Sequence, residues 1–140
     1  MYLLDTNVLS EARKRMPDAG VTAWLTAVAS ADLYLSAITV FEIELGIEKQ
    51  RRDNPAFAEE LANWLGAVLG LYGERVLQLT TGIARRWGRL AAEAGHRELD
   101  LAIAATALEH GLSVVTRNVA HYERTGVAIV NPFETRRGSR

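Results

Sequence analysis

The chain has 140 residues and a mass of 15.4 kDa, the size of one domain, and its 49% hydrophobic residues are enough for a single core. A net charge of -1 and a pI near 6.3 exclude a globally basic nucleic-acid-binding protein, so any contact with a polyanion must come from local clusters or a metal ion. The lack of cysteine excludes disulfides, thiolate zinc sites and cysteine nucleophiles.

The first apolar run is short and ends at an acid. Residues 2–4 read Tyr-Leu-Leu and predict a β-strand, followed directly by Asp5 and then by a short helix over residues 7–14. Asp5 stands where a signal peptide would continue apolar, and no run approaches the roughly 18 apolar residues of a membrane helix. We therefore expect a soluble, cytoplasmic protein that does not associate with membranes.

Further strands and helices alternate along the rest of the chain. Apolar runs predict strands at residues 33–35, 75–77, 113–115 and 127–130. Helical spacing predicts helices over residues 20–30, 37–52, 55–71, 80–95 and 100–110. This alternation indicates an α/β domain over residues 1–133, with a short parallel sheet, helices on both faces and a projecting helical hairpin. Residues 134–140 are expected to form a frayed polar tail.

Acidic and amide side chains mark the junctions between predicted strands and helices. Asp5 and Asn118 follow strands, Glu42 lies early in the helix after the second strand, and Asp100 opens the last long helix. In a parallel sheet these junctions share one edge, which is where ligands of open α/β sheets bind. Carboxylates gathered there repel one another unless a cation neutralises them or one takes a proton. We therefore expect a divalent metal ion held by oxygen ligands.

Each of these side chains also has a structural interpretation. Asp100 is a suitable N-cap for its own helix. Thr39 and Glu42 have the spacing of a capping box, but Ser36 is the better cap, which places Glu42 more than one turn inside the helix. Asp5 and Asn118 can each be turn residues in solvent. Because one side chain can cap a helix and bind a metal, these interpretations do not exclude a site.

Other ionisable side chains are expected to lie outside the site. His96 and His110 stand near helix ends, where a positive charge suits the helix dipole. His121 is closer to the expected cleft, but it has no evident base partner and is given no role. Three glutamates near the motif helices are expected on solvated faces: Glu11, Glu44 and Glu48.

The succession of motifs resembles that of PIN domains of the VapC and FitB toxin type. The motifs are residues 4–11, which read Leu-Asp-Thr-Asn-Val-Leu-Ser-Glu, and residues 35–46, 100–105, 116–118 and 131–133. They follow the family's order at comparable spacings, which makes chance a poor explanation. The resemblance implies a three-layer α/β/α sandwich and a metal-dependent endoribonuclease, usually the toxin of a toxin-antitoxin pair, with Mg²⁺ or Mn²⁺ in an acidic pocket.

The resemblance also assigns residues to that site. Asp5, Glu42 and Asp100 match the family's three core acids; we expect Asp5 and Asp100 to bind the metal directly and Glu42 to act through water or at a second metal. The fourth acidic position holds Asn118, which removes one negative charge and bears on the number of metal ions. Two further side chains are expected to orient an acid or a water molecule, namely Thr116 and Asn7.

Partners follow from the same resemblance. It implies an RNA substrate and an antitoxin whose C-terminal segment crosses the acidic pocket with an arginine, while DNA is bound only through the antitoxin. Arg117 is the basic side chain that we expect to contact an RNA phosphate. A homodimer is expected because the helical hairpin carries many apolar side chains, at Phe57, Leu61, Trp64, Leu65, Val68 and Leu69.

Two other functions are weighed against the ribonuclease. A catalytically weak binding module with the same fold would explain Asn118 as the sign of a decayed site. A phosphatase with Asp5 as nucleophile ranks last, because such enzymes carry an Asp-x-Asp motif and the second acid is replaced here by Asn7.

Overall fold

The computed structural model describes residues 1–134 and contains one sheet of five strands in the order β3-β2-β1-β4-β5. All neighbouring strands are parallel, as predicted. The chain adds β2 and β3 on one side of the central β1 and then β4 and β5 on the other. The carboxyl end of β1 therefore borders the crevice in which open α/β sheets bind ligands. The strands are β1 (Tyr2–Leu4), β2 (Leu33–Ser36), β3 (Val76–Leu77), β4 (Ser113–Val115) and β5 (Ile129–Val130).

Seven α-helices in the described part of the chain connect or flank these strands, which confirms the predicted α/β class. The last helix was not predicted, because four residues are too few to show a helical period. The helices are α1 (Thr6–Arg13), α2 (Ala19–Ala27), α3 (Ala37–Asp53), α4 (Pro55–Tyr72), α5 (Thr81–Ala94), α6 (Leu99–His110) and α7 (Val119–Tyr122).

Side-chain caps fix several helix starts. The Ser36 hydroxyl accepts the backbone N–H of Ile38 in α3, as predicted, and the Thr80 hydroxyl accepts the backbone N–H of Ile83 in α5. The prediction that Asp100 caps its helix is wrong: α6 begins one residue earlier, with Glu98 at the N-cap and Asp100 inside the first turn. Asp5 is itself the N-cap of α1, a role that the strand-end pattern did not indicate.

The sheet is covered on both faces by apolar side chains. Leu4, on β1, belongs to a core shared with α1 to α4, whereas its neighbour Leu3 belongs to a second core built on α6. Successive strand residues point to opposite faces, so one short strand supplies both cores. The run from Leu101 to Ala107 in α6 is buried throughout, which makes this helix a central element of the second core.

The helical hairpin of α3 and α4 uses most of its apolar side chains inside the molecule. Leu65 is buried, and Leu61 and Trp64 pack against the first core together with neighbouring side chains of α4. The apolar surplus expected there is therefore wrong for these residues. The large exposed apolar side chains of the hairpin are Phe41 (52% exposed) and Leu45 (44%) on α3 and Leu71 (74%) near the end of α4.

The ends of the chain bear on the predicted domain limits. Asp18, before α2, accepts a hydrogen bond of 3.0 Å from the backbone N–H of Glu134, which ties the last described residue to the fold. The rest of the predicted tail, residues 135–140, lies outside the described residues. Over residues 1–134, none of the helices has the length and apolar character needed to cross a membrane.

Candidate functional site

The structure brings the four predicted site positions together at the carboxyl edge of the sheet. Asp5 ends β1, Glu42 lies in the second turn of α3 after β2, Asp100 lies in the first turn of α6, and Asn118 follows β4. All four line one cavity of about 590 Å³. Residues 113 positions apart in sequence therefore meet because parallel strands end at the same edge.

Asp5 is held by hydrogen-bond donors on both carboxylate oxygens. It is only 5% exposed; Oδ1 accepts the backbone N–H of Thr6 at 2.8 Å. Oδ2 accepts the hydroxyls of Thr116 at 2.8 Å and Tyr122 at 3.0 Å, and the amide of Asn7 at 3.2 Å. A solvated turn does not explain this arrangement. An aspartate nucleophile does not suit it either, because neither oxygen is free of a donor.

Thr116 and Asn7 join the loop after β4 to the end of β1. The buried Thr116 hydroxyl donates to Asp5 and accepts from the side chain of Asn7 at 3.2 Å and from the backbone N–H of Asn118 at 2.9 Å. The Asn7 carbonyl oxygen in turn accepts the backbone N–H of Arg117 at 3.0 Å. This network fixes the orientation of the Asp5 carboxylate, as second ligand shells do in metal sites.

Glu42 carries an electrostatic penalty in the cavity. Burial raises the pKa of its carboxyl, and repulsion from Asp5 and Asp100 raises it further, while a hydrogen bond donated by the Thr6 hydroxyl partly opposes the rise. The direction of this shift shows that the cavity disfavours a third negative charge. A bound cation would remove that penalty.

Asp100 has one engaged and one unengaged oxygen. Its Oδ2 lies 3.0 Å from Nδ1 of His121, a partner that the sequence did not reveal. Its Oδ1 is buried and has no hydrogen-bond partner among the described residues, which is costly for a polar atom. An ion that accepts an oxygen ligand would satisfy this atom.

These observations test whether the residues fit a divalent cation. As the side chains lie, no three His, Asp or Glu residues between positions 1 and 134 form a closed metal site. Protein donors hold the acids instead, with Thr6 on Glu42 and His121 on Asp100. The acids nevertheless share one cavity, offer the hard oxygen ligands that Mg²⁺ and Mn²⁺ prefer, and include an unpartnered buried oxygen. The residues therefore fit such an ion.

Tyr122 is the site residue that sequence reasoning missed. It is fully buried, and its hydroxyl reaches Asp5 from 117 positions away. Burial, and then the negative charge of Asp5, raises the pKa of the phenol, so the hydroxyl stays protonated and acts as a donor. No signal in the sequence marks it, because the helix that carries it has only four residues.

The peripheral glutamates behave in two ways. Glu44 and Glu48 are exposed, as predicted. The prediction is wrong for Glu11, which is 8% exposed, pairs with Lys14 at 2.8 Å and accepts the backbone N–H of Asp18 at 2.8 Å. Glu11 therefore fixes the connection between α1 and α2 rather than facing solvent.

Arg117, His96 and His110 do not line the acidic cavity. The Arg117 guanidinium stacks on the ring of Phe133 at 4.4 Å, and its side chain is exposed beside Asn118. His110 lies in the last turn of α6, and His96 follows the end of α5, as expected. Because its side chain is exposed, Arg117 can contact a polyanion that approaches the cavity.

Comparison with known proteins adds a family to this geometry. The PIN domain model matches residues 2–127. A VapC ribonuclease of Sinorhizobium fredii is 38% identical over 141 residues, which cover 96% of this chain and 99% of that protein. The toxin FitB of Neisseria gonorrhoeae is 34% identical and is matched over 99% of its length and 95% of this chain. A structure of FitAB bound to a DNA fragment superposes with a TM-score of 0.84 at 34% identity, covering 96% of this chain and 97% of that one.

Proposed function

The chain belongs to the PIN domain family and is a homologue of the VapC and FitB toxins, and on this premise we propose that it is a Mg²⁺-dependent endoribonuclease, the toxin of a type II toxin-antitoxin pair. The observation that carries the proposal is the shared cavity lined by Asp5, Glu42 and Asp100. Residues 1–133 form the nuclease domain in this proposal, and cleavage of cellular RNA places its action in the cytoplasm.

The metal ligands in this proposal are carboxylate oxygen atoms at or near the N-terminal ends of three helices. Asp5 and Asp100 hold the ion, with Mn²⁺ as an alternative to Mg²⁺, and Glu42 completes the site directly or through water. When bound, the ion supplies electrophilic stabilisation of the negative charge that develops on the scissile phosphate. Asn118 contributes a neutral amide where an acid would add a fourth carboxylate. The smaller negative charge favours one bound ion over two.

The protein's own groups direct hydrolysis of the phosphodiester. Thr6 engages Oε1 of Glu42, which leaves Oε2 to accept the proton of the attacking water. The water oxygen bonds to phosphorus, the bond from phosphorus to the ribose oxygen breaks, and that oxygen takes a proton from solvent. Thr116, Asn7 and Tyr122 keep the Asp5 carboxylate in place during these steps.

The test is metal-dependent cleavage of RNA by the purified chain. Cleavage should require Mg²⁺ or Mn²⁺, stop in excess chelator, and fall at least 100-fold in Asp5→Asn and Asp100→Asn. Glu44→Gln, an exposed change on α3, is the matched control and should cleave normally. Cleavage that resists the chelator would overturn the proposal, as would metal binding without any cleavage, the behaviour of a binding module. Sequencing the 5′ ends of the products would then locate the cut.

The partner implied by the relatives is an antitoxin. The matched FitB structure contains a second protein, FitA, and was determined on DNA. We propose that the chain forms a corresponding complex, that an antitoxin segment lies across the acidic cavity, and that the toxin contacts DNA only through that complex. The negative charge around Glu42 suits an arginine from such a segment.

A homodimer is part of the same proposal. Phe41 and Leu45 lie one turn apart on α3 and are largely exposed, so they share a helix face that a second copy can cover. Light scattering should give a dimeric mass for the purified chain. Leu45→Asp should shift that mass toward the monomer, whereas Glu48→Gln on the same helix should not. A monomeric wild-type chain at micromolar concentration would refute the dimer.

A further inference from the structure

A second cavity adjoins the acidic one and has no role in the hydrolysis described above. It has a volume of about 350 Å³ and lies between the end of α5, the start of α6, and α7 with the turn that follows it. The two cavities share Glu98, Asp100 and His121 as lining residues. The two cavities are therefore neighbours, and neighbouring parts of one ligand can occupy them.

The walls of the second cavity combine apolar side chains with a larger number of polar ones. Leu90, Ala94 and Leu101 supply apolar atoms, and Leu101 is almost fully buried. Glu93 and Arg124 are exposed and contribute an acceptor and a donor. Apolar side chains beside hydrogen-bonding groups can pack against the face of a small organic ligand and bond to its edges.

The charge of the lining argues against a phosphate group. Glu93, Glu98 and Asp100 are acids, whereas Arg124 is the arginine in the lining. The three carboxylates outnumber this arginine, so the lining disfavours an anion. A neutral group with an apolar face and hydrogen-bonding edges suits the cavity better.

We propose that this second cavity binds an unpaired nucleobase of the RNA, next to the phosphate held in the acidic cavity. The inference deepens the proposed ribonuclease function, on which it rests, and makes the substrate single-stranded at that position. Sequence-specific recognition of RNA uses unpaired bases that are turned out and read along their hydrogen-bonding edges. A base turned out beside the scissile phosphate would lie close to this cavity because the two cavities adjoin along shared lining residues.

The polar groups of the lining favour a base that has both an amino group and acceptors, such as guanine. Carboxylates accept hydrogen bonds from base N–H groups, and arginine donates to the O6 and N7 acceptors of guanine. Glu93 or Glu98 can accept from the amino edge while Arg124 donates to the opposite edge. Guanine carries both features, whereas uracil lacks an amino group, so guanosine should bind more tightly than uridine.

The first test uses free nucleosides, which lack phosphate and therefore do not depend on the metal site. Titration of the full chain with guanosine and uridine, followed by NMR of methyl groups, should shift the signals of Ala94 and Leu101, with guanosine the tighter ligand. Ala94→Trp should weaken guanosine binding at least 10-fold by filling the cavity. Ala84→Trp, on the same helix but outside the lining, should leave binding unchanged.

The outcomes separate this inference from the ribonuclease proposal. If RNA is cut in a metal-dependent way but neither nucleoside shifts these signals, the inference is overturned and the nuclease stands. If guanosine binds and Ala94→Trp blocks it while RNA stays intact, the base site stands and the nuclease falls. Ala120→Trp, which fills the cavity from α7, repeats the test should Ala94→Trp not fold. Equal binding by the Ala94→Trp and Ala84→Trp variants would also overturn the inference.

Discussion

Replacing Glu42 with glutamine tests the electrostatic cost of the acidic cavity. Glutamine keeps the shape of the side chain and an oxygen that accepts the Thr6 hydroxyl, but it removes a charge repelled by Asp5 and Asp100. Two unit charges about 8 Å apart repel by about 2 kcal/mol at an effective dielectric constant near 20. Because the cavity is open and solvent screens part of this repulsion, we expect Glu42→Gln to stabilise the metal-free protein by about 1 kcal/mol.

The assay is thermal unfolding of both proteins with and without Mg²⁺. A gain of about 1 kcal/mol corresponds to roughly 3 °C in Tm for a domain of this size. Saturating Mg²⁺ should reverse the order, since a ligand at 100 times its dissociation constant adds about 2.7 kcal/mol to wild type, whereas Glu42→Gln binds the ion more weakly. Glu44→Gln should match wild type under both conditions. A metal-free Glu42→Gln protein less stable than wild type would refute the reasoning.

The pH dependence of the same difference has a fixed sign. The pKa of Glu42 is raised above its ordinary value of 4.5 in the folded protein, so folding favours the protonated carboxyl. Below pH 4.5 the charge is absent in both states and the wild type should be about as stable as Glu42→Gln. As pH rises through the folded pKa the wild type should lose stability relative to the variant. A difference that stays constant from pH 4 to pH 7 would contradict this assignment.

Three further predictions concern the frame around the site. Gly20→Ala should lower the free energy of unfolding in urea by about 1–3 kcal/mol, because a Cβ there would collide with the backbone carbonyl oxygen of Pro132; a loss under about 0.5 kcal/mol would contradict this. Asp18→Ala should cost about 1 kcal/mol at pH 7. Backbone N–H groups, first that of Glu134, hold the pKa of Asp18 below 3.8, so this cost should shrink as pH falls through the folded pKa, and an unchanged cost at pH 3 would refute it. Tyr122→Phe should lower the stability of the metal-free protein by about 1–2 kcal/mol, measured by thermal melting, because Asp5 loses a buried donor; an unchanged Tm would show that the hydroxyl is dispensable.

The sheet edge was predictable because parallel strands impose a simple geometry. A short apolar run that stops at Asp5 reads as a buried strand with an acid at its carboxyl end, and the same holds for the run before Thr116 and Asn118. Once the strands are parallel, these positions fall on one edge without any knowledge of the loops. The convergence of distant acids was thus available from local patterns and one topological rule.

Contacts within the site were not predictable in the same way. Tyr122 reaches Asp5 only because the chain after β4 turns through the four-residue α7, and a segment that short shows no period. Glu11 looked like a surface residue because its neighbours are polar, and its partner at Asp18 lies in an irregular connection. The position of Asp100 within its helix depended on where the first turn begins, which sequence patterns fix least well.

The arrangement of hydrogen bonds explains how the fold tolerates Asp5, Glu42 and Asp100 in one cavity. Asp5 is almost buried, but four protein donors engage its oxygens, so its charge is held inside the fold. Glu42 has a single donor in the described part of the chain and an unfavourable charge, and Asp100 keeps a buried oxygen without a partner. The hydrogen-bond network is therefore complete around Asp5 and incomplete around Glu42 and Asp100. A group that brings positive charge, whether a metal ion or an arginine, would supply what the folded chain lacks, so occupancy of this cavity should govern both activity and stability.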